Sequence, residues 1–204
     1  MPPPLRPSVS AAVFLDRDGT IIEDTGYAND PAAVRLIPGA GEAVARINAA
    51  GFLAIVATNQ SGIARGIITL AQYQAVEART DELLAARGGR LDGHFFCPHH
   101  PDVDGPCECR KPGTKLYRDA DAKFGIDFTR SWWIGDRMRD IEPAKTLGGR
   151  GILVLTGLGE QDEAAARAVG FEVAKDLGPA VRLILDGESR RTPKPPHPET
   201  ERGN

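Results

Sequence analysis

Ala11-Ala12-Val13-Phe14-Leu15-Asp16-Arg17-Asp18-Gly19-Thr20 runs five apolar residues directly into two carboxylates and a Gly-Thr turn. An unbroken apolar run of this length reads as a strand buried on both faces, the kind found in parallel sheets. The same grammar recurs downstream. Phe52–Ala57 reads as a second buried strand and ends in Thr58-Asn59-Gln60-Ser61-Gly62. His94–Cys97, Trp132–Ile134, Ile152–Leu155 and Phe171–Ala174 are shorter strand candidates. Trp132–Ile134 runs into Gly135-Asp136, with Asp140 a helical turn further on. Helical patterns alternate with these strands. Ala40, Ala43, Val44, Ile47 and Ala50 form a stripe closed by Gly51, and Leu70, Tyr73, Val76, Thr80, Leu83 and Leu84 form another, closed by Gly88-Gly89. Lys115–Phe124 is a third, stopped by Gly125, and further helices are expected at about 140–147, 160–169 and 178–185. The alternation predicts an α/β fold with a parallel sheet covered on both faces. Ligands of such folds bind at the carboxyl ends of the strands.

Composition bounds the rest. The chain has 204 residues, 25 basic and 28 acidic, for a net charge of −3. This excludes collagen, coiled coil and global disorder, and nucleic acid is not an expected partner because basic charge is not in excess. Apolar runs are too short to span a membrane. The segment Met1–Ser10 has no apolar core of a secretory signal, so a cytoplasmic protein is expected. Pro2, Pro3, Pro4 and Pro7 make 1–10 a flexible tail. The stretch 187–204 contains no Val, Ile, Leu, Met or aromatic residue and reads as a disordered polar tail. One folded domain, 11–186, remains, and Trp132-Trp133 reads as core packing within it.

Three strand ends carry polar chemistry. Asp16 and Asp18 would repel one another if both were ionised and unpaired. A hard divalent cation relieves that repulsion, and oxygen ligands from Asp16 and Asp136 suit Mg²⁺. Each aspartate taken singly also reads as a helix cap or turn residue; convergence of three strand ends favours a site. Cys97, Cys107 and Cys109 lie within one short stretch with His99. An odd number of cysteines argues against a disulfide framework. Three sulfurs and one imidazole suit a closed, structural, tetrahedral Zn²⁺ site in a loop at about 97–110, with His100 an alternative to His99.

The motif Asp16–Thr20 resembles the nucleophile motif of the haloacid-dehalogenase-like (HAD) phosphatases. Thr58, Lys111 and Gly135-Asp136…Asp140 match that family's further motifs in order. The resemblance implies a three-layer α/β/α Rossmannoid fold with no large cap domain. It implies Asp16 as nucleophile, Asp18 as acid and base, and Thr58 and Lys111 as charge stabilisers. Mg²⁺ would be held by Asp16, the Asp18 carbonyl and Asp136, with Asp140 orienting a metal-bound water or Lys111. Cys97-Pro98-His99-His100-Pro101, Cys107–Pro112 and Thr58–Gly66 are similar to the zinc-loop subgroup of heptose 1,7-bisphosphate 7-phosphatases. Histidinol-phosphate phosphatases share the core motif and a similar zinc loop, and Arg137, where heptose enzymes commonly have Lys, leaves that rival open. A non-catalytic zinc-stabilised binding protein is a more distant one. Gly19, Thr20, Tyr27, Asn59, Gln60, Ser61, Arg110 and Arg137 are the expected contacts to a sugar bisphosphate, Arg110 for the second phosphate. The resemblance further implies a monomer.

Overall fold

The computed structural model describes residues 10–189. The expected tails lie outside the described residues, except at their inner ends. Ser10 already belongs to the body: its N–H donates to Gly125 O at 3.0 Å, and its carbonyl accepts from Asp127 N at 2.9 Å.

Six strands form one parallel sheet: β1 (Ala12–Leu15), β2 (Leu53–Asn59), β3 (Gly93–Cys97), β4 (Trp132–Gly135), β5 (Arg150–Val154) and β6 (Glu172–Ala174). Their order is β3-β2-β1-β4-β5-β6. The chain winds outward from β1 to β3, then returns past β1 to β4 and winds outward again. The reversal opens a crevice between β1 and β4, where the carboxyl-end rule places a ligand.

Eight α-helices lie among the described residues: α1 (Ala40–Ala49), α2 (Leu70–Ala85), α3 (Pro101–Asp104), α4 (Lys115–Phe124), α5 (Met138–Ile141), α6 (Pro143–Leu147), α7 (Gly159–Ala168) and α8 (Leu177–Ser189). Alternation along the strands divides the core in two. Val13, Leu15, Ala54, Val56, Trp132 and Ile134 pack under α1, α2 and α8, through Val44, Ile47, Val76, Leu84, Val181 and Ile184. Ala12, Phe14, Ile55, Ala57, Trp133 and Leu153 pack under α4 to α7, through Leu116, Tyr117, Ile141, Ala144 and Ala166. Both residues of each strand pair are therefore apolar, which is why β1 and β2 show no polar alternation. The paired tryptophans enter opposite cores. Phe14 joins Trp133 at 4.8 Å and meets Tyr117 edge-on at 5.0 Å between ring centres.

The fold is the expected α/β/α sandwich, and no cap domain interrupts it among the described residues. No helix there is long and apolar enough to cross a membrane. Three details differ from expectation. The helix expected at about 140–147 is two pieces, because Pro143 lacks the N–H that would continue α5 and instead opens α6. A short helix, α3, interrupts the cysteine loop, started by Pro101 with the His100 ring accepting from Asp102 N. The last helix runs on through Gly187 to Ser189, past the expected start of the tail.

Candidate active site and metal centres

β1, β2 and β4 are neighbours, so their carboxyl ends form one floor. Asp16 N donates to Ile134 O at 2.9 Å, which holds Asp16 beside the end of β4. A cleft over this floor is lined by Asp16, Asp18, Thr58, Asn59, Lys111 and Asp136, with Tyr27, Gln60, Arg137 and Asp140 around them. Asp24, Gly26, Arg139 and Leu158 also line it; none was named as a substrate contact, although Asp24 and Gly26 lie in the loop 19–30. Gly19, Thr20, Ser61 and Arg110 are not among the lining residues. Arg110 instead donates to His99 O at 3.3 Å, and Thr20 is fully buried.

Lys111 is the hub of the site. Its Nζ donates to Asp16 Oδ1 and to Ala57 O, each at 2.7 Å, and forms an ion pair with Asp140 Oδ1 at 2.8 Å. Burial works against this charge, but Asp140 and Asp16 outweigh it and hold the lysine above its ordinary pKa. The backbone is fastened as well. Asn59 Oδ1 accepts from Lys111 N at 2.9 Å, and Asn59 Nδ2 donates to Lys111 O at 3.2 Å. Asn59 thus clamps the lysine to the end of β2.

Asp18 is held by different partners. Gln60 Nε2 donates to Asp18 Oδ2 at 2.8 Å and to Thr58 Oγ1 at 3.0 Å. Arg17 pairs with the same carboxylate at 3.1 Å. Burial raises the Asp18 pKa above its ordinary value, with Arg17 opposing and Asp16 adding to the rise. A carboxyl group set in this way retains a proton more readily, as a general acid requires.

Asp136 is 3 % exposed, and its carboxyl is pushed up to about 7, by burial first and then by Asp16. Room for it comes from two glycines. A Cβ on Gly19 or Gly157 would collide with Asp136 Oδ2, and both have positive φ, 79° and 58°. A fourth strand end therefore serves the site. In the loop after β5, Leu158 N donates to Asp136 Oδ2 at 2.8 Å and Thr156 Oγ1 donates to Gly19 O at 2.6 Å. Asp140 Oδ2 accepts from Arg137 N at 3.0 Å, closing the first turn of α5, and the Arg137 side chain turns to Asp162 at 2.9 Å.

Two clusters fit metal ions. Carboxylate oxygens of Asp16, Asp136 and Asp140 come within 4.8 Å of one another. Lys111 pairs with Asp16 and Asp140, and no cation pairs with Asp136 among the described residues. An all-oxygen donor set of this kind suits Mg²⁺. The second cluster is Cys97, His99, Cys107 and Cys109. The three Sγ–Sγ separations are 3.6, 3.6 and 3.0 Å, and His99 Nδ1 lies 3.2 Å from Cys109 and 3.8 Å from Cys97. Tetrahedral Zn–S bonds of about 2.3 Å have S–S edges of about 3.8 Å, which the two 3.6 Å separations approach and the 3.0 Å one falls short of. Burial opposes ionisation of Cys107, but the Arg110 N–H and its neighbours Cys109 and Cys97 bring its thiol down to about 7. His100 faces away, its Nδ1 accepting from Asp102 N at 3.2 Å. Zinc here would fix Cys109, two residues from Lys111.

A HAD-hydrolase-like family model matches residues 108–180. The D-glycero-β-D-manno-heptose-1,7-bisphosphate 7-phosphatase of Photorhabdus laumondii is 42 % identical over 182 residues, covering 85 % of this chain and 96 % of that protein. The protein of the same name from Pseudomonas aeruginosa is 38 % identical, covering 85 % and 97 %. The crystal structure of D,D-heptose 1,7-bisphosphate phosphatase from B. bronchiseptica, complexed with magnesium and phosphate, superposes with a TM-score of 0.80 at 34 % identity, covering 87 % of this chain and 99 % of that one.

Proposed function

We propose that this chain, which belongs to the family of D-glycero-β-D-manno-heptose-1,7-bisphosphate 7-phosphatases, removes the 7-phosphate of a heptose 1,7-bisphosphate through an aspartyl-phosphate on Asp16. The observation that carries this reading is the convergence of Asp16, Asp18, Thr58, Lys111 and Asp136 on one cleft at the strand-order reversal. The P. laumondii and P. aeruginosa relatives carry the β configuration in their names, which supports the β anomer.

Asp16 attacks phosphorus in line with the leaving C7 oxygen. The Asp16–phosphorus bond forms as the phosphorus–oxygen bond breaks. Asp18 delivers its proton to the departing alkoxide, then takes one from the water that hydrolyses the acyl phosphate. Lys111 and the Thr58 hydroxyl offset charge on the transferred group. Mg²⁺, held by Asp16 and Asp136 with the Asp18 carbonyl, would supply further neutralisation of the phosphoryl oxygens. Arg137 and Arg139 stand in the cleft wall as cations for the 1-phosphate. Asp140 keeps Lys111 charged and in place. The reading carries with it a monomeric cytoplasmic enzyme with one structural zinc, held by Cys97, His99, Cys107 and Cys109.

The test is phosphate release with Mg²⁺ from α- and β-heptose 1,7-bisphosphate, fructose 1,6-bisphosphate and histidinol phosphate. The β-heptose ester is expected to exceed histidinol phosphate in kcat/KM by at least about 100-fold, or about 2.7 kcal/mol of transition-state discrimination. A preference for histidinol phosphate would retain the chemistry and overturn the substrate. Full activity of Asp16→Asn would overturn the nucleophile.

A further inference from the structure

Arg17 stands between the two aspartates of the first motif, and none of the chemistry above uses it. It is 1 % exposed. An arginine so deep is costly unless its charge is paired, and an apolar side chain of similar volume is often the more stable occupant. Arg17 does not even meet all its donors: its Nη1 finds no partner among the described residues. Its fork is committed to one group. Nε lies 3.2 Å from Asp18 Oδ2, and Nη2 lies 3.1 Å from Oδ2 and 3.2 Å from Oδ1. The guanidinium is also stacked 5.1 Å from the centre of the buried Tyr73 ring. Tyr73 is tied in turn, its hydroxyl donating to Glu77 Oε2 at 2.8 Å. With Gln60 added, Asp18 Oδ2 accepts from three N–H groups and Oδ1 from one.

We infer that Arg17, seated on Tyr73, is a positioning residue that fixes the plane of the Asp18 carboxyl and leaves Oδ1 as the oxygen that exchanges protons with substrate. The inference rests on the phosphatase reading and deepens it. Oδ2 is saturated by donors, so a proton there would meet N–H groups head-on. Oδ1 therefore carries the proton, gives it to the leaving alkoxide as the phosphorus–oxygen bond breaks, and recovers one from the attacking water. A lysine would keep the charge but not the fork, which is what sets a plane.

The role predicts a dependence on the leaving group that packing alone would not produce. A sugar alkoxide needs a proton to depart, whereas p-nitrophenolate does not. Arg17→Met and Arg17→Lys, each loaded with zinc and Mg²⁺, are compared with wild type in single-turnover experiments. The substrates are heptose 1,7-bisphosphate and p-nitrophenyl phosphate, and Asp18→Asn serves as reference. Arg17→Met is expected to slow cleavage of the sugar ester by about 100-fold, within the range of a lost general acid. The first release of p-nitrophenolate by Arg17→Met should change by less than about threefold, because that leaving group needs no proton. Arg17→Lys should resemble Arg17→Met, and it supplies the test should the methionine variant fail to fold. Equal losses on both esters, no loss on either, or full rescue by lysine would each overturn the inference. A wild type that ignores the heptose ester but cleaves another alkyl phosphate overturns the substrate reading instead, and the comparison then proceeds with that ester.

Discussion

Replacing Asp136 with Asn should make the magnesium-free protein more stable while abolishing its activity. The Asp136 carboxyl, ordinarily near 3.8, is pushed up to about 7 by burial and by Asp16. In the unfolded chain it returns to about 3.9. Between about pH 4 and about pH 7 the unfolded chain has therefore released a proton that the folded chain still holds, and stability falls as pH rises through that window. A gap of about three pH units corresponds to about 4 kcal/mol, absent at about pH 4 and fully expressed above about pH 7. Asparagine has no charge to bury, and its carbonyl can still accept the Leu158 N–H. In buffer without Mg²⁺, with zinc retained, Asp136→Asn should melt about 8–16 °C above wild type at about pH 8, with the difference vanishing toward about pH 4. Mg²⁺ should reverse the order, since it stabilises only the chain that binds it. Calorimetry at both pH values, with and without Mg²⁺, checks this. A variant no more stable than wild type at the higher pH, or a gain equal at both, would refute the account of Asp136 as a carboxylate waiting for a cation.

Lys111→Met should cost about 3–5 kcal/mol, because Asp16 and the Ala57 carbonyl lose their shared donor and Asp140 loses its ion-pair partner inside the protein. Urea unfolding measures the loss, and turnover should disappear with it. Asn59→Ala removes both bonds to the Lys111 backbone and strands its N–H. It should cost about 1–3 kcal/mol, and kcat should fall further than KM rises. Cys109→Ser should lower bound zinc, measured by elemental analysis, and reduce kcat at saturating Mg²⁺, because Cys109 and Lys111 are two residues apart. A zinc-free variant with wild-type kcat would separate the loop from the catalytic lysine.

The central strands were legible because they are buried on both faces, so β1 and β2 appear as unbroken apolar runs with their chemistry attached to the carboxyl ends. Glycine stops made the long helices equally plain. What stayed hidden depends on side-chain direction rather than residue type. Asn59 reads as a substrate contact by its place after Thr58, yet its amide turns to the Lys111 backbone, a partner 52 positions away. Arg17 received no role from the sequence, and only the tertiary fold puts Tyr73 under it. Thr156-Gly157-Leu158 carries no titratable group, so nothing in its composition announces that its backbone serves Asp136. Gly19 belongs to a recognisable motif, but its service to the site is the space it leaves.

The strand order has a consequence for how the molecule comes apart. β1 and its partners β2 and β4 are interior strands, while β3, which ends in Cys97, lies at one edge and β6 at the other. An edge strand can detach while the rest of the sheet persists, but an interior strand opens only when its neighbours do. Amide hydrogens of Val13–Leu15 and Trp133–Ile134 should then exchange with solvent only through global unfolding, and those of Phe95–Cys97 through a smaller and more frequent opening. The nucleophile's seat would outlast every partial excursion of the chain, and the cysteine loop would be the first part of the active-site wall to let go.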